Sequence, residues 1–131
     1  MQTDEALISA ALGMLPKAYA PYSNFQVGAA LECQDGTVFT GCNVENAAYG
    51  SCLCAERTAL VKAVSEGQRS FRRIAIVGSG PDVCTPCGAC RQMLYEFAPN
   101  LEVIMANQRG ENQKAQLSQL LPLGFGANNL V

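Results

Sequence analysis

Two short apolar runs constrain the architecture of this 131-residue chain. Residues 72–80 read RRIAIVGSG and residues 101–107 read LEVIMAN. Both runs are rich in β-branched and other apolar side chains, a pattern typical of buried strands. Residues 87–97, which lie between them, have helical periodicity. Alternation of buried strands and helices indicates a layered α/β structure.

The first element is predicted to be a helix from Thr3 to Ala20. Thr3 can cap its N-terminus, and Asp4 and Glu5 suit the positive end of a helix. Pro16 falls inside this segment. The helix either kinks or restarts at Pro16, and because the apolar stripe continues beyond it, the kink is preferred. The apolar stripe consists of Leu7, Ala11, Leu12, Leu15 and Tyr19.

A hairpin is predicted next, with strands near residues 26–33 and 38–44 joined by the tight turn QDGT. Helical periodicity resumes after Ser51 and lasts to Gly67, which can close the helix as a C-terminal cap. A short helix is expected over residues 117–121. This order of elements predicts an α/β sandwich with a mixed sheet, formed by a single domain over residues 1–131.

The composition restricts the compartment and the partners. With 49% hydrophobic and 15% charged residues, the chain has the composition of a compact globular protein. Its first ten residues lack the basic flank of a signal peptide, and no apolar run approaches the roughly 20 residues that span a bilayer. We therefore expect a cytoplasmic protein without a membrane partner. Nine basic and eleven acidic residues, without a Lys/Arg cluster, argue against nucleic acid and favour a neutral small molecule.

The sequence contains no histidine. Any metal must therefore be held by thiolates, carboxylates or backbone oxygens. An acid or base that acts near neutral pH must be a carboxyl, thiol, amine or phenol with a shifted pKa.

Five of the seven cysteines lie in two runs, SCLCAERTA at 51–59 and CTPCGACRQ at 84–92. In a reducing cytosol such cysteines are metal ligands, catalytic groups or buried residues rather than disulfides. Cys54 falls at the start of one predicted helix, and Cys87 and Cys90 fall at the start of the next. Helix N-termini favour thiolate over thiol, so these three cysteines could converge on one zinc ion.

Two neighbours of Cys54 suit a catalytic zinc. Such a zinc keeps a fourth position for water, whose pKa it lowers to about 7. Glu56 could take a proton from this water and deliver it to a leaving group. Three thiolates carry more negative charge than one zinc ion neutralises, and the positive charge of Arg57 could offset part of the excess. The alternative is that Arg57 is a solvated helix residue.

Two other interpretations of the cysteines use different pairs. Cys52 and Cys54 with Cys87 and Cys90 could form a closed four-thiolate zinc site, which would make the protein a structural or interaction module. Residues 84–87, CTPC, could form a thioredoxin-like redox pair. Neither alternative uses Glu56. Outside these alternatives, four cysteines are expected to be buried or uninvolved: Cys33, Cys42, Cys52 and Cys84.

Several motifs together resemble a known family. CAE at 54–56 with PCGAC at 86–90 is similar to the C-x-E and P-C-x-x-C pattern of zinc nucleoside deaminases. APYSNFQVGAAL at 20–31, GCNVENAAYG at 41–50, CAERTAL at 54–60 and LLPLGFG near the end extend the likeness over most of the chain. The chain thus resembles the short, homotetrameric class of cytidine deaminase.

This resemblance implies a three-layer α-β-α sandwich with a mixed sheet of about five strands. It implies one Zn²⁺ per chain on Cys54, Cys87 and Cys90, with Glu56 moving protons. It also implies that neighbouring chains of a homotetramer complete each active site. The residues implied to contact the nucleoside are Phe25, Asn43, Glu45 and Ala55, with Tyr49 and Phe125 at positions of cross-subunit contributions.

The implied reaction is hydrolytic deamination of cytidine and deoxycytidine to uridine and deoxyuridine in pyrimidine salvage, with release of ammonia. An alternative is deamination of another cytosine nucleoside, such as blasticidin S, by the same site. Asn43 and Glu45 are two residues apart at a predicted strand end, so both could face a ribose, while Phe25 offers a ring for stacking. Alternatively, the segment NVEN is only a loop and Phe25 is part of the core.

Overall fold

A mixed five-stranded sheet forms the centre of the computed structural model, which describes residues 2–130. The strand order is β2-β1-β3-β4-β5; β3 and β4 are parallel and the other neighbours are antiparallel. The strands are β1 Val27–Cys33, β2 Val38–Cys42, β3 Phe71–Gly78, β4 Glu102–Asn107 and β5 Asn112–Gln116. The helices are α1 Asp4–Leu12, α2 Ala55–Ser65, α3 Gly88–Phe97 and α4 Leu117–Leu120, with 3₁₀ turns at Leu15–Lys17, Tyr49–Ser51 and Ala127–Asn129.

Helices cover both faces of the sheet. Because side chains alternate along a strand, Ala29 and Leu31 of β1 face α2 and α3, whereas Ala30 faces α1. The two resulting apolar clusters are separate and both are well buried. The predicted three-layer α-β-α sandwich is therefore confirmed. The runs predicted as buried strands form β3 and β4, which pair in register from Arg73 opposite Glu102 onward.

The prediction of one kinked helix from Thr3 to Ala20 is wrong. Thr3 caps α1 as expected, with its Oγ1 accepting from the Ala6 N–H at 3.1 Å, but the helix ends at Leu12. Pro16 lies at the start of a separate 3₁₀ turn. In a continuous helix the proline ring would clash with the carbonyl of the residue four positions earlier, which is Leu12. The end of α1 coincides with that position.

Strand β5 was not assigned by the sequence pattern. Its sequence, NQKAQ, is polar, and four of its five residues are exposed. It lies at the sheet edge beside β4 and leads directly into α4. Such an edge strand has no apolar alternation to reveal it.

Two glycines allow helices to approach the sheet closely. A Cβ on Gly41 of β2 would lie 2.5 Å from the Ala55 carbonyl oxygen and 2.6 Å from the Ala59 nitrogen. These two atoms form an i, i+4 pair in the first turns of α2. On the opposite face, a Cβ on Gly28 of β1 would lie 2.0 Å from the Ala11 carbonyl oxygen of α1. The missing side chains therefore set the depth at which α2 and α1 pack.

An ion-pair network around the buried Glu32 carboxylate connects α1 to the sheet. The Arg73 guanidinium lies 2.9 Å from Glu32 and also bonds Asp4 and the Gln2 carbonyl. Lys114 of β5 lies 2.9 Å from the other Asp4 oxygen. Burial alone would raise the pKa of Glu32, but hydrogen bonds from Arg73 and the Gln2 N–H hold that pKa below its usual value. Within residues 2–130, no helix combines the length and apolar character needed to cross a membrane.

Candidate metal centre and active site

The starts of two helices bring three sulfur atoms together. Cys54 is the N-cap of α2, Cys87 is the N-cap of α3, and Cys90 lies in the first turn of α3. The Cys54 and Cys87 sulfurs are 3.5 Å apart, and those of Cys87 and Cys90 are 3.2 Å apart. All three lie within 4.8 Å of one another. The Cys90 N–H also points at the Cys87 sulfur.

The chemistry of this donor set fits one zinc ion. Thiolates are soft ligands that zinc prefers and that calcium and magnesium do not. Hydrogen bonding with the Cys90 thiol, together with the Arg57 guanidinium, lowers the pKa of Cys54 to about 5. Both helix N-termini also favour negative charge at the cluster. Cys54 can therefore bind a cation as a thiolate, whereas the hydrogen bond with Cys54 raises the pKa of Cys90, and binding of zinc would have to release that proton.

Glu56 is buried beside the sulfur cluster. Only 3% of the residue is exposed, although it occupies the first turn of a helix. Burial raises the pKa of its carboxyl to about 7, and the nearby Cys54 charge acts in the same direction. A carboxyl in this state can both accept and donate a proton near neutral pH.

Arg57 connects the cluster to the segment that precedes α2. Its Nη2 donates to the Cys52 carbonyl at 3.0 Å and lies 3.7 Å from the Cys54 sulfur. Its Nε is buried and has no hydrogen-bond partner among the described residues. Arg57 is thus partly buried and lies against the Cys54 sulfur, and its role at the cluster stays a prediction.

A pocket of about 500 Å³ is lined by Cys54, Cys87 and Glu56, whereas the third cysteine of the cluster, Cys90, is fully buried behind them. Its mouth is lined by the loop 22–25 and by the segment after β2. The Phe25 ring lies against Gly78 and Gly80, where an added Cβ would come within 2.9 Å and 3.1 Å of it. The lining residues are Tyr22, Ser23, Phe25, Val27, Asn43, Glu45, Tyr49, Cys52, Leu53, Cys54, Ala55, Glu56, Cys84, Thr85 and Cys87.

Asn43 and Glu45 both face this pocket, as expected from their spacing. Asn43 accepts from the Val27 N–H at 2.9 Å and donates to the Phe25 carbonyl at 2.8 Å. Glu45 accepts from the backbone N–H groups of Tyr22 and Ser23 and from the Ser23 hydroxyl. The Ser23 hydrogen bond and these amides hold the pKa of Glu45 below its usual value. Phe25 is 42% exposed, so it is not a core residue.

The other three predicted contact residues lie in the pocket wall, at the pocket mouth and outside the pocket. Ala55 is buried in the pocket wall at the start of α2. Tyr49 lines the pocket mouth, is 74% exposed, and packs edge-on against Tyr22 with ring centroids 6.0 Å apart. Phe125 is 58% exposed and lies outside this pocket, where its carbonyl accepts from Gln92 at 2.8 Å. Phe125 is therefore the one predicted contact residue that the pocket of a single chain does not include.

The remaining cysteines do not join the sulfur cluster. The Cys52 sulfur accepts from the Asn46 N–H at 3.3 Å, which directs it away from a four-thiolate site. Cys84 packs near Gly78, and burial raises its pKa to about 12, which does not suit a redox nucleophile. Cys33 is fully buried, and Cys42 donates to the Lys17 carbonyl at 3.4 Å.

Sequence reasoning missed Tyr22, Ser23 and Thr85 as pocket residues. The letters PYSN indicated a turn, and the hydrogen bonds from that turn to Glu45 span more than twenty residues of sequence. Local patterns carry no information about such contacts. The polar character of the turn, next to an aromatic residue, was the available indication.

The fold and the site together define a class: an α/β protein with three cysteines that could hold a metal ion beside a buried carboxyl. The comparisons identify the family. Residues 1–106 match the family described as cytidine and deoxycytidylate deaminase zinc-binding region. The chain therefore belongs to this family.

Curated relatives and solved structures agree with this assignment. The cytidine deaminase of Sporosarcina psychrophila is 45% identical over 96% of this chain and 93% of its own length. That of Halalkalibacterium halodurans is 47% identical, with 96% of each chain covered. The crystal structure of cytidine deaminase from Burkholderia pseudomallei superposes with a TM-score of 0.92 at 53% identity, covering 95% of this chain and all of that chain. A blasticidin-S deaminase of Bacillus cereus is more distant, at 28% identity.

Proposed function

We propose that this chain catalyses the hydrolytic deamination of cytidine and deoxycytidine to uridine and deoxyuridine, releasing ammonia. The observation that carries the proposal is that buried Glu56 lines the same pocket of about 500 Å³ as Cys54 and Cys87, whose sulfurs form a cluster with that of Cys90. The curated relatives at 45% and 47% identity, which are cytidine deaminases, support this substrate over blasticidin S.

Cys54, Cys87 and Cys90 would hold one zinc ion per chain. When bound, zinc supplies a Lewis acid and an activated water for this reaction. Arg57 lies 3.7 Å from the Cys54 sulfur and offsets part of the thiolate charge. The surroundings of the ion thereby remain less negative than three thiolates alone would make them.

Glu56 is the acid-base group of the proposed mechanism. It accepts one proton from the attacking water and delivers it to ring nitrogen N3, and it then takes the second proton from the new C4 hydroxyl and delivers it to the departing amine. Burial raises the pKa of its carboxyl, which suits a group that must gain and lose a proton in each turnover. The bond to water oxygen forms at C4, the C4–N bond breaks, and ammonia leaves.

The pocket mouth would hold the nucleoside. Phe25 presents an exposed ring face for the pyrimidine, and Ala55 forms the wall next to Glu56. Glu45 is an ionised acceptor for a sugar hydroxyl, and Asn43 keeps one free N–H and one free lone pair. A carboxylate at this place also repels a phosphate, which supports a nucleoside over a nucleotide as the substrate.

We also propose a homotetramer in which neighbouring chains complete each site. The pocket mouth is surrounded by exposed aromatic and aliphatic side chains, which suits burial by another copy. Phe125 lies outside its own chain's pocket and Tyr49 at its rim, so both could contact a neighbour's ligand. Sedimentation equilibrium tests this assembly: a monomer at assay concentration that deaminates cytidine would contradict it. A cytoplasmic role in pyrimidine salvage, carried by one catalytic domain over residues 1–131, completes the proposal.

The direct test of function is the ultraviolet absorbance of a cytidine solution with enzyme and without it. We expect conversion to uridine that stops after chelation and resumes when zinc is restored. Deoxycytidine should react likewise. Conversion of blasticidin S but not cytidine, or conversion of neither by zinc-loaded protein, would contradict the proposal.

A further inference from the structure

The Ser23 hydroxyl connects two sides of the pocket mouth. Its Oγ donates to Glu45 Oε2 and accepts from the Phe25 N–H at 3.0 Å. The backbone N–H of Ser23 also donates to Glu45 Oε1 at 3.1 Å. Ser23 therefore contacts both the carboxylate proposed to bind the sugar and the residue proposed to stack on the base.

These bonds determine which part of Glu45 a ligand can reach. A carboxylate offers about four acceptor positions. Oε1 already accepts from the N–H groups of Tyr22 at 2.9 Å and Ser23 at 3.1 Å. Oε2 accepts from the Ser23 hydroxyl, which leaves one position on Oε2 for a ligand hydroxyl. Without the serine hydroxyl, the two backbone N–H groups still hold Oε1, but Oε2 loses its hydrogen bond and the direction of its remaining acceptor position is less firmly fixed.

The same hydroxyl helps to fix Phe25. The Phe25 N–H is held by Ser23 and its carbonyl by Asn43 at 2.8 Å. Between Ser23 and Phe25, Asn24 adopts a left-handed conformation with φ of 58° and donates to the Ala20 carbonyl at 3.0 Å. Asparagine tolerates this conformation better than most residues. The loop is therefore held in one shape by bonds at several points.

We propose that Ser23 is a positioning residue for nucleoside binding, whose hydroxyl fixes Glu45 and Phe25 relative to each other so that sugar and base are recognised together. This inference rests on the proposed function, in which Glu45 and Phe25 contact the nucleoside. Ser23 lies at the pocket mouth, whereas the sulfur cluster and Glu56 lie at its base, so its effect falls on binding rather than on proton transfer.

The first test is Ser23→Ala. We expect KM for cytidine to rise roughly tenfold because a hydrogen bond to a charged group is lost. Because the residues at the pocket base are unchanged, kcat should stay within about threefold. Ser23→Thr keeps the hydroxyl and should restore most of the KM. Ser65→Ala, which removes an exposed hydroxyl bonded to the Lys62 carbonyl far from the pocket, is the matched control and should leave KM unchanged.

A double-mutant cycle with Glu45→Gln separates this inference from the proposed function. Glu45→Gln alone should raise KM, and adding Ser23→Ala should then have a clearly smaller effect than in the parent, since the two residues act together. A Glu45→Gln variant with the parental KM would remove the proposed role of Glu45 and this inference with it. Two results would overturn the role of Ser23 alone. Glu45→Gln could raise KM while Ser23→Ala has no effect, or the double variant could raise KM by the product of the two single effects, as expected for independent residues. If Ser23→Ala lowers kcat and the melting temperature but leaves KM unchanged, Ser23 has a structural role, and the inference is also overturned.

Discussion

The sulfur atoms of Cys54 and Cys87 lie 3.5 Å apart although the two residues cap different helices. Thirty-three positions of sequence separate them, and that interval includes all of α2 and β3. The sheet holds both helix starts at one end, so the cluster depends on the packing of α2 and α3. Substitutions of the cysteines, of the buried carboxyl of Glu56 and of the residues that pack against α2 therefore test three different requirements of the site.

The ligand set is tested by comparing two cysteines that are close in sequence. Cys54→Ser should lower zinc affinity by more than about 100-fold, because a ligand of the cluster is lost. Cys52→Ser should leave zinc content at one per chain, since the Cys52 sulfur bonds the Asn46 N–H instead. Metal analysis after dialysis against a chelator measures both. Equal zinc loss in the two variants would favour the four-thiolate alternative.

Glu56→Gln should separate metal binding from catalysis. The amide is nearly isosteric but cannot accept a proton, so kcat should fall by at least about 1,000-fold while zinc content stays at one per chain. The matched control is Glu66→Gln at the exposed far end of the same helix, which should keep the parental kcat. Turnover near the parental rate in Glu56→Gln would exclude the proton-transfer role.

Arg57→Ala tests whether the guanidinium stabilises the thiolates. Its contacts with the Cys54 sulfur and the Cys52 carbonyl would be lost, so zinc should dissociate faster and kcat should fall, each by roughly tenfold. Arg69→Ala removes an exposed arginine that bonds only backbone carbonyls, and serves as the control. If Arg57→Ala retains zinc and keeps the parental kcat, the contact between Arg57 and Cys54 contributes neither to metal binding nor to catalysis.

Gly41→Ala tests the depth of α2. An added Cβ must displace the first turns of α2 by roughly 1 Å, because it would clash with their backbone. These turns carry Glu56 next to Cys54. A displacement of this size in an active site can lower kcat by about 100-fold. Gly28→Ala creates a comparable clash with α1 on the opposite face, so it should lower the melting temperature while folded molecules keep the parental kcat. Stability and kcat are measured on the same zinc-loaded samples. A destabilised Gly41→Ala protein with parental kcat would limit Gly41 to packing.

The Glu32–Arg73 pair predicts a specific dependence of stability on pH. The folded-state pKa of Glu32 lies below its ordinary value of 4.5. Its contribution to stability is therefore complete above that ordinary value and is lost as pH falls through the lower folded-state pKa. Glu32→Gln should destabilise the protein by about 3 kcal/mol at neutral pH and flatten the loss of stability below about pH 5.

Urea unfolding of the parent and of Glu32→Gln from about pH 6 to about pH 3 measures this difference. Proton uptake at other carboxylates and loss of metal at low pH affect both proteins, so the difference between the two curves isolates Glu32. Parallel curves over the whole range would contradict the prediction.

Local sequence patterns were sufficient to predict the two buried strands and the helix start that bears two of the cysteines. The apolar runs gave β3 and β4, and the spacing of Cys87 and Cys90 placed both at one helix start, as the structure has them. The pairing of these residues with Cys54 followed from chemistry and from the family motifs. The absence of histidine made thiolates the natural candidates.

Other features depend on contacts that no local pattern encodes. Helix α1 stops at Leu12 because of a steric conflict with Pro16, whereas the apolar stripe alone favoured continuation. Strand β5 exists because β4 provides a hydrogen-bonding partner, not because its own residues favour a strand. The bonds from Ser23 to Glu45 join segments distant in sequence and define the shape of the pocket mouth.

The polar edge strand β5 has a consequence for how copies of the chain can associate. Its outward residues are hydrophilic, and its Lys114 side chain is paired with Asp4. A margin of this kind discourages another chain from continuing the ladder, a device by which natural β-proteins avoid fibrous growth. Sheet-to-sheet pairing of two copies through β5 is therefore disfavoured, and contacts between copies on this side of the molecule are expected to use helical or loop surfaces instead.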